Sequence, residues 1–262
     1  MIPLKDDNPR ELTPWFNYAL ILCNVAVFIY QYSRPDPHAF VHAYGAIPDK
    51  ILHSVNLSSL SKLLTAMFLH DGGEHLFLNM LYLWIFGDNV EDRMGHLRYL
   101  AFYLLTGIAA TLSYVATMPA STEPMIGASG AISGVLGAYL VKFPHARILI
   151  FVPFILLYRV PALIMLGLWF INQLTQAILH VSFIELIFIL VLWILNQLTL
   201  LRLEFFNQFI RRLLTLGLAD THGVAWFAHI GGFVAGLLFV KFFERRQNLE
   251  LFRRRDSEDD TA

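Results

Sequence analysis

The chain alternates between long apolar stretches and shorter polar segments. Apolar stretches of about 20 residues with few charges recur along it, and a helix needs that length to cross roughly 30 Å of hydrocarbon. The gaps between polar segments predict six spans, at residues 15–32, 68–87, 97–118, 127–142, 160–176 and 224–243. The pattern is typical of an all-α protein that crosses the membrane several times.

A further apolar stretch at residues 178–201 complicates this count. It contains one acid, Glu185, and hydropathy alone predicts a seventh crossing there. We expect segments 33–61 and 146–158 to be connections, because the first is rich in Pro, His and Ser and the second is interrupted by Pro153. The chain then divides into an N-terminal segment (1–14), five core helices (15–176), an insert (177–222), a sixth core helix (223–243) and a charged tail (244–262).

The composition excludes several classes of protein. Hydrophobic residues make up 56% of the chain and charged residues 15%, and the mean hydropathy is +0.56. A soluble domain carries about 25% charged residues, so an ordinary soluble enzyme and a disordered chain are both excluded. The net charge of −1 gives no bulk basicity to attract nucleic acid. The single cysteine, Cys23, lies in an apolar run, where we expect it to be buried.

Basic residues predict the orientation, because Lys and Arg collect in cytoplasmic loops. The tail carries Arg245, Arg246, Arg253, Arg254 and Arg255. The loops after the second and fourth spans carry Arg93, Arg98, Lys142, Arg147 and Arg159. With six spans all of these residues fall on one side, which places both termini in the cytoplasm. The loops on the opposite side carry fewer basic residues, namely Arg34, Lys50 and Lys62 after the first span. The insert, with Arg202, Arg211 and Arg212, is the exception.

Polar side chains inside apolar spans are the first candidates for chemistry, because they are costly to bury in a membrane. His75 and Asn79 are four residues apart in the second span, so they lie on one helical face. Ser129 begins the fourth span, and His229 lies in the last. Each has a structural alternative. A serine can bond a carbonyl of its own helix, an asparagine can join two helices, and a lone histidine needs only a partner.

Glycines accompany both the serine and the histidine. They are Gly127, Gly130, Gly134 and Gly137 around Ser129, and Gly232 and Gly236 on the face of the last helix that carries His229. A GxxxG pattern in a membrane most often serves helix packing alone. Here the two small-residue faces would let the helices approach closely enough for a hydrogen bond between a hydroxyl and an imidazole.

These residues together predict nucleophilic catalysis at an amide. A hydroxyl is a weak nucleophile until a base removes its proton, and histidine has a suitable pKa. Attack on a carbonyl creates an oxyanion that needs hydrogen-bond donors. His75, Asn79 and the Ser129 backbone N–H, which lies in the first helical turn, can supply them. The sequence therefore predicts a Ser129–His229 dyad, without a third acidic member and without a metal, since no HExxH motif is present.

The motifs resemble those of the rhomboid intramembrane serine proteases. They are HDGGEHLFLN at residues 70–79, GASGA at 127–131, and AHIGG at 228–232 with Gly236 following. Glu91, Gly95 and the N-terminal MIPLKDDNP are similar to the bacterial branch of that family. The resemblance covers about residues 1–176 and 223–243.

The resemblance implies a six-helix bundle and a set of roles. In the family the GxSG serine is the nucleophile, the late histidine is the base and the HxxxN pair lines the oxyanion hole, roles that fall on Ser129, His229, His75 and Asn79. A short fourth helix would place Ser129 at the floor of a water-filled cavity open to the extracytoplasmic side. The implied partners are the lipid bilayer and the transmembrane segments of other proteins. No cofactor is expected, and the implied location is a bacterial plasma membrane.

The insert at 177–222 departs from the family. Ser129 and His229 both lie near the N-terminal end of a helix, so the two helices must run in the same direction to bring them together. An even number of crossings must then separate them, which a single crossing at 178–201 would violate. We therefore expect the insert to lie in the outer interface beside the fifth helix, or to form a re-entrant hairpin.

Other functions have weaker support in the sequence. The main alternative is a catalytically silent rhomboid-like protein that binds membrane proteins and affects their trafficking, but the candidate residues are all present. A transporter or channel would carry repeat symmetry or a chain of intramembrane acids, and the sequence has neither. An intramembrane aspartyl protease needs a pair of acids within its spans, and this sequence does not show such a pair. His70 is either a polar residue at the membrane boundary or a support for the oxyanion site.

Overall fold

The computed structural model of the protein describes residues 2–54, 56–152, 156–179, 187, 190, 191 and 224–245. The helices are α1 (Trp15–Tyr32), α2 (Pro37–Tyr44), α3 (Pro48–His53), α4 (Leu57–Thr65), α5 (Gly73–Met94), α6 (His96–Thr117), α7 (Ser129–Lys142), α8 (Ala162–Leu179) and α9 (Trp226–Phe243). The strands are β1 (Ile2–Asp6), β2 (Arg147–Val152) and β3 (Leu156–Pro161). The mainly helical fold class is confirmed, with the addition of a small sheet.

The predicted spans correspond to α1 and α5–α9, with shifted ends. By length and composition, three of the described helices are suited to cross a membrane, namely α6, α8 and α9. With 14 residues, α7 is about 21 Å long, which is shorter than the roughly 30 Å hydrocarbon layer. Most of the predicted insert at 177–222 and of the tail at 244–262 lies outside the described residues.

Two predictions about connections and burial were wrong. The segment expected to be a loop after the first span contains α2, α3 and most of α4. Asp36 caps α2 by accepting the Ala39 N–H at 2.9 Å, and Asn56 caps α4. Cys23 is exposed on the outer face of α1, because an apolar helix face is stable against lipid as well as against a core.

The short helix α7 lies at the centre of the bundle. Its residues from Gly130 to Tyr139 are all buried, so neighbours cover it on every side. Both α6 and α7 pack along α9. Large side chains from several helices fill the space around α7 and are fully buried; they include Phe86, Tyr99, Phe102, Tyr103, Tyr139 and Phe233. Ser129 is therefore carried by the most enclosed helix of the described bundle.

The directions of the last helices follow from their contacts. Gly232 and Gly236 of α9 lie against Gly130 and Gly134 of α7, so both helices run in the same direction, as the sequence predicted. By contrast, α8 is antiparallel to α9, since Gln173 meets His229 while Phe170 stacks on Phe233 with ring centroids 4.4 Å apart. The end of α8 and the start of α9 consequently lie at the same end of the bundle.

The sheet joins the N-terminal segment to the connection after α7. The strand order is β1-β2-β3, and both pairs are antiparallel, with Ile2 opposite Phe151 and Arg147 opposite Pro161. The apolar connector predicted around Pro153 thus forms two strands. Sequence periodicity did not reveal the sheet, because its register depends on residues that are about 145 positions apart.

Buried polar contacts hold β1 against the helices. Asp6 Oδ2 accepts hydrogen bonds from the Tyr139 hydroxyl at 2.6 Å and from Asn89 Nδ2 at 2.9 Å. Burial raises the pKa of Asp6 to about 6, and the nearby acids Asp88 and Asp7 add to this effect. Docking of the strand therefore favours the neutral form of Asp6 relative to the unfolded chain, so that this carboxyl stays protonated up to a higher pH.

The start of α1 is capped by a distant side chain. Its N-cap residue, Pro14, supplies no side-chain hydrogen bond. Instead the fully buried Glu91 of α5 accepts the backbone N–H of Phe16 at 3.1 Å and that of Asn17 at 2.7 Å. His96 Nδ1 lies 2.5 Å from the same carboxylate. One acid thereby joins α1, α5 and α6.

Candidate active site

Ser129 is the first residue of α7 and follows a loop that is held in place by its backbone. The Gly127 N–H donates to the Ala66 carbonyl at 2.9 Å. Gly127 has φ +116°, a conformation that glycine adopts without a steric penalty. A Cβ at this position would lie 2.9 Å from His75 Nε2. The loop can therefore bring Ser129 up to α5 only because residue 127 has no side chain.

The Ser129 and His229 side chains are in hydrogen-bond contact. Ser129 Oγ lies 2.8 Å from His229 Nε2, although the residues are 100 positions apart in the chain. At this distance the hydroxyl can donate its proton to the imidazole, which is the geometry that an activated serine requires.

Glycine contacts between α7 and α9 make this approach possible. A Cβ at Gly232 would overlap the carbonyl oxygen of Gly130, and a Cβ at Gly236 would overlap that of Gly134. The two backbones touch along the faces that carry the serine and the histidine. Of the glycines singled out in the sequence, Gly130, Gly134, Gly137, Gly232 and Gly236 thus lie at the contact between the two helices, whereas Gly127 lies in the loop before α7, against His75.

His75 and Asn79 lie on the α5 face that lines the same cavity as Ser129. Asn79 is buried, and within the described part of the chain its Nδ2 has no hydrogen-bond partner. His75 Nδ1 lies 2.6 Å from Asp71 Oδ1. In the imidazolium form, Nδ1 donates to Asp71 and Nε2, which faces residue 127, is a second donor. With the Ser129 N–H at the start of α7, these groups offer three donors to one space.

The cavity has a volume of about 650 Å³ and opens beside the N-terminal ends of α5, α7 and α9. Its lining is mainly apolar and includes Leu78, Ile132 and Trp169. Two acids, Asp71 and Glu74, lie at its wall. Across the residues that the structure describes, no group of three or more His, Cys, Asp or Glu side chains is placed to hold a metal ion.

Sequence reasoning missed one direct partner of the histidine. His229 Nδ1 lies 2.8 Å from Gln173 Oε1, and Gln173 belongs to α8. The indole rings of Trp169 and Trp226 lie 6.1 Å and 6.0 Å from the imidazole, measured between centroids. The signal was present in the sequence, since polar side chains in the apolar fifth span, Gln173 among them, are costly and call for a partner.

His70 packs against His75 and does not lie at an exposed boundary. It is fully buried, and the two ring centroids are 5.0 Å apart. Its backbone is fixed by Gln31 of α1, which donates to the His70 carbonyl at 2.7 Å and accepts from its N–H at 3.3 Å. The His70 ring therefore lies in contact with His75, the residue predicted to line the oxyanion site.

The sequence profile of the rhomboid domain matches residues 57–246, which is well over half of the chain. The chain belongs to the rhomboid family. This rhomboid is an integral membrane protein. As a member of the family, it is either an intramembrane protease or a rhomboid-like protein.

Curated relatives come from mitochondria and from bacteria. Rhomboid protein 1, mitochondrial, of Saccharomyces cerevisiae is 35% identical over 149 residues, 55% of this rhomboid and 40% of the yeast protein. Presenilin-associated rhomboid-like protein, mitochondrial, of Bos taurus is 36% identical over 165 residues, 58% of this rhomboid and 42% of the bovine protein. Rhomboid protease GluP of Bacillus subtilis is 46% identical over 79 residues, 30% of this rhomboid and 15% of GluP. These matches span less than half the length of each relative.

Proposed function

We propose that this rhomboid is a serine endopeptidase that cleaves transmembrane segments of other membrane proteins. The observation that carries the proposal is the 2.8 Å contact between Ser129 Oγ and His229 Nε2 at the wall of a cavity. A hydroxyl and an imidazole at this distance, beside unpaired donors, are suited to acyl transfer.

The reaction follows from the positions of the four residues. His229 Nε2 takes the Ser129 proton while Oγ attacks the scissile carbonyl carbon, which gives a tetrahedral oxyanion. His75, Asn79 and the Ser129 N–H donate to that oxygen, and the positive end of α7 stabilises its charge. His229 then gives its proton to the leaving amine, the peptide bond breaks, and an acyl-enzyme remains. His229 then deprotonates a water molecule, which attacks the acyl carbon. The ester bond to Oγ breaks, Oγ takes the proton from His229, and the acid product leaves.

The enclosure of the site supports a transmembrane segment as the substrate. An intact transmembrane helix hides its carbonyls in hydrogen bonds, so only a segment that unwinds locally can present one to Ser129. Glycine or proline near the end of the span weakens a helix in this way. We therefore expect cleavage near the outer end of a transmembrane segment with such residues.

The charge distribution supports an orientation for the bundle. Lys142, Arg147, Arg159, Arg93, Arg98 and Arg245 all lie at the end that carries the sheet, opposite the cavity. Under the positive-inside tendency, that end faces the cytoplasm. We propose a bacterial plasma membrane, with the cavity on the extracytoplasmic side. Fractionation with inner-membrane markers checks this location, and recovery in another membrane would overturn it.

The decisive experiment is cleavage of a single-span substrate by the purified protein in detergent or liposomes. We expect Ser129→Ala and His229→Ala to abolish it. Matched controls are Ser61→Ala and His145→Ala, since both residues are exposed and lie outside the cavity lining. A fluorophosphonate probe should label the wild type and fail to label Ser129→Ala.

Equal cleavage by the wild type and both site variants would remove the proposal. Absence of both cleavage and labelling in the folded wild type would instead support the alternative, a silent rhomboid-like protein that binds membrane proteins. Co-purification of a membrane protein with Ser129→Ala and wild type alike would then identify that activity.

A further inference from the structure

Gln173 projects from α8 into the candidate active site. Its side chain is buried, with 3% of the residue exposed, and Oε1 lies 2.8 Å from Nδ1 of His229. The same imidazole contacts Ser129 through its other nitrogen, at 2.8 Å. The ring is therefore held between a hydroxyl on one side and an amide on the other.

The orientation of the amide is fixed by a second contact. Gln173 Nε2 donates to the Trp169 carbonyl at 3.2 Å, one turn earlier in α8. Because the amide nitrogen is used in this way, the oxygen faces His229 and can only accept a hydrogen bond. The proton of the neutral imidazole must then sit on Nδ1, which leaves Nε2 with a lone pair directed at the Ser129 hydroxyl.

We propose that Gln173 is a positioning residue that holds His229 in its Nδ1–H tautomer. The inference rests on the proposed function, since it assigns the third member of the Ser129–His229 arrangement. In the opposite tautomer, Nε2 would carry a proton and could not take the one on Ser129. The carbonyl of Gln173 excludes that tautomer, because an unprotonated Nδ1 would face another acceptor.

An amide suits this position better than a carboxylate. Serine hydrolases in water use a buried acid for the same task, and the acid also stabilises the imidazolium that forms. A carboxylate at membrane depth is costly unless it is paired, whereas an amide carries no net charge. Gln173 thereby orients the ring without placing an ion in the hydrocarbon layer. The two tryptophans beside the ring, Trp169 and Trp226, limit its rotation.

The test compares substitutions of similar volume. Gln173→Met removes the acceptor and keeps the length of the side chain, while Gln176→Met makes the same change at a half-buried position of the same helix. Gln173→Glu retains an acceptor oxygen at the same reach. We expect Gln173→Met to lower kcat by about 10- to 100-fold with little change in KM. This is less than the roughly 10⁴-fold loss caused by the wrong tautomer in serine proteases, because methionine removes the acceptor without imposing the other tautomer. Gln176→Met should keep wild-type kcat, and Gln173→Glu should recover part of the loss.

A spectroscopic measurement separates this proposal from the proposed function. In Ser129→Ala protein with ¹⁵N-labelled histidine, the His229 signals are assigned by their loss in Ser129→Ala/His229→Ala. We expect the chemical shifts to report a protonated Nδ1, and Gln173→Met to mix the tautomers. A protonated Nε2 as the main form would overturn the assignment of Gln173, whatever the catalytic activity. If the protein cleaves no substrate but still shows an Nδ1–H signal, the assignment of Gln173 stands and the protease proposal does not.

The kinetic outcome is equally decisive. Wild-type kcat in folded Gln173→Met, or an equal loss in Gln176→Met, would show that the amide does not position the histidine. Thermal unfolding of each variant identifies any loss that comes from destabilisation of the bundle.

Discussion

Gly127 lies against the imidazole of His75, and the space between them is too small for a methyl group. The backbone of Gly127 has a positive φ, and a Cβ there would come within 2.9 Å of His75 Nε2 and 3.6 Å of Ser129 Oγ. A single backbone position thus sets the distance between the proposed oxyanion donor on α5 and the proposed nucleophile on α7.

The first prediction concerns this glycine. Gly127→Ala strains the loop and pushes His75 away, so we expect kcat to fall by about 100-fold, the effect of losing one oxyanion donor. Gly73→Ala is the matched control, because a Cβ there meets no atom within 4 Å. Cleavage assays on both folded variants measure the effect. Unchanged kcat in Gly127→Ala would contradict the proposed role of His75.

Asn79→Ala should reduce turnover without abolishing it. Removal of one oxyanion donor costs about 3 kcal/mol, or 10²- to 10³-fold in kcat, while the other donors remain. Ser129→Ala should have no measurable activity. The control is Asn24→Ala, which removes a buried amide that bonds to the Leu20 carbonyl on α1, away from the cavity. Complete inactivity of folded Asn79→Ala would argue against this ranking.

Gly236→Ala should destabilise the bundle and separate the two reacting side chains. The added methyl group overlaps the carbonyl of Gly134, and overpacking of this kind costs about 1–3 kcal/mol. We expect a lower midpoint of thermal unfolding and reduced cleavage. Gly167→Ala on α8 should show neither effect, since its Cβ would meet no atom within 4 Å. Equal midpoints for the two variants would show that α7 and α9 are not tightly packed at this point.

Stability should depend on pH through Asp6. Its pKa rises from the ordinary value of 3.8 to about 6 on folding, so between these values the folded state binds more protons than the unfolded state. The free energy of unfolding should therefore fall as the pH rises from 3.8 to about 6 and remain at the lower level above that range. Thermal unfolding of wild type and Asp6→Asn across this range measures the effect. An equal slope in the two proteins would remove Asp6 as its source.

The insert at 177–222 should not form a single crossing. The insert joins the end of α8 to the start of α9. Because these two helices are antiparallel, both points lie at the same end of the bundle, and the insert must cross the membrane an even number of times or not at all. We propose that it lies at the extracytoplasmic interface. Gln197→Cys and Gln208→Cys, made in a Cys23→Ser background because Cys23 is exposed, should react with an impermeant thiol reagent added from outside. Reaction of both positions only from the cytoplasm would contradict this placement.

Much of the candidate site was accessible from the sequence because its residues lie in short local patterns. His75 and Asn79 share a face through the helical period, and the GASG pattern places Ser129 at a helix start. The apolar lengths likewise predicted the helices, since an α-helix satisfies all of its backbone hydrogen bonds within a single segment of about that length. Composition and spacing predicted the fold class, and the resemblance of the motifs to those of the rhomboid proteases predicted the family.

Contacts between distant segments could be decided only by the tertiary structure. The cost of an amide in the fifth span indicates that Gln173 needs a partner, but nothing near it in the chain indicates that this partner is His229, 56 positions later. The resemblance to the bacterial branch includes Glu91 but does not indicate that this residue caps α1, because the contact depends on how α5 packs against α1. The pairing of β1 with β2 depends on a register that local periodicity does not contain. The sequence determined which segments are helical and which polar groups they carry, because both are local properties. Folding decided which of those groups meet, because close packing brings together residues that no local pattern relates.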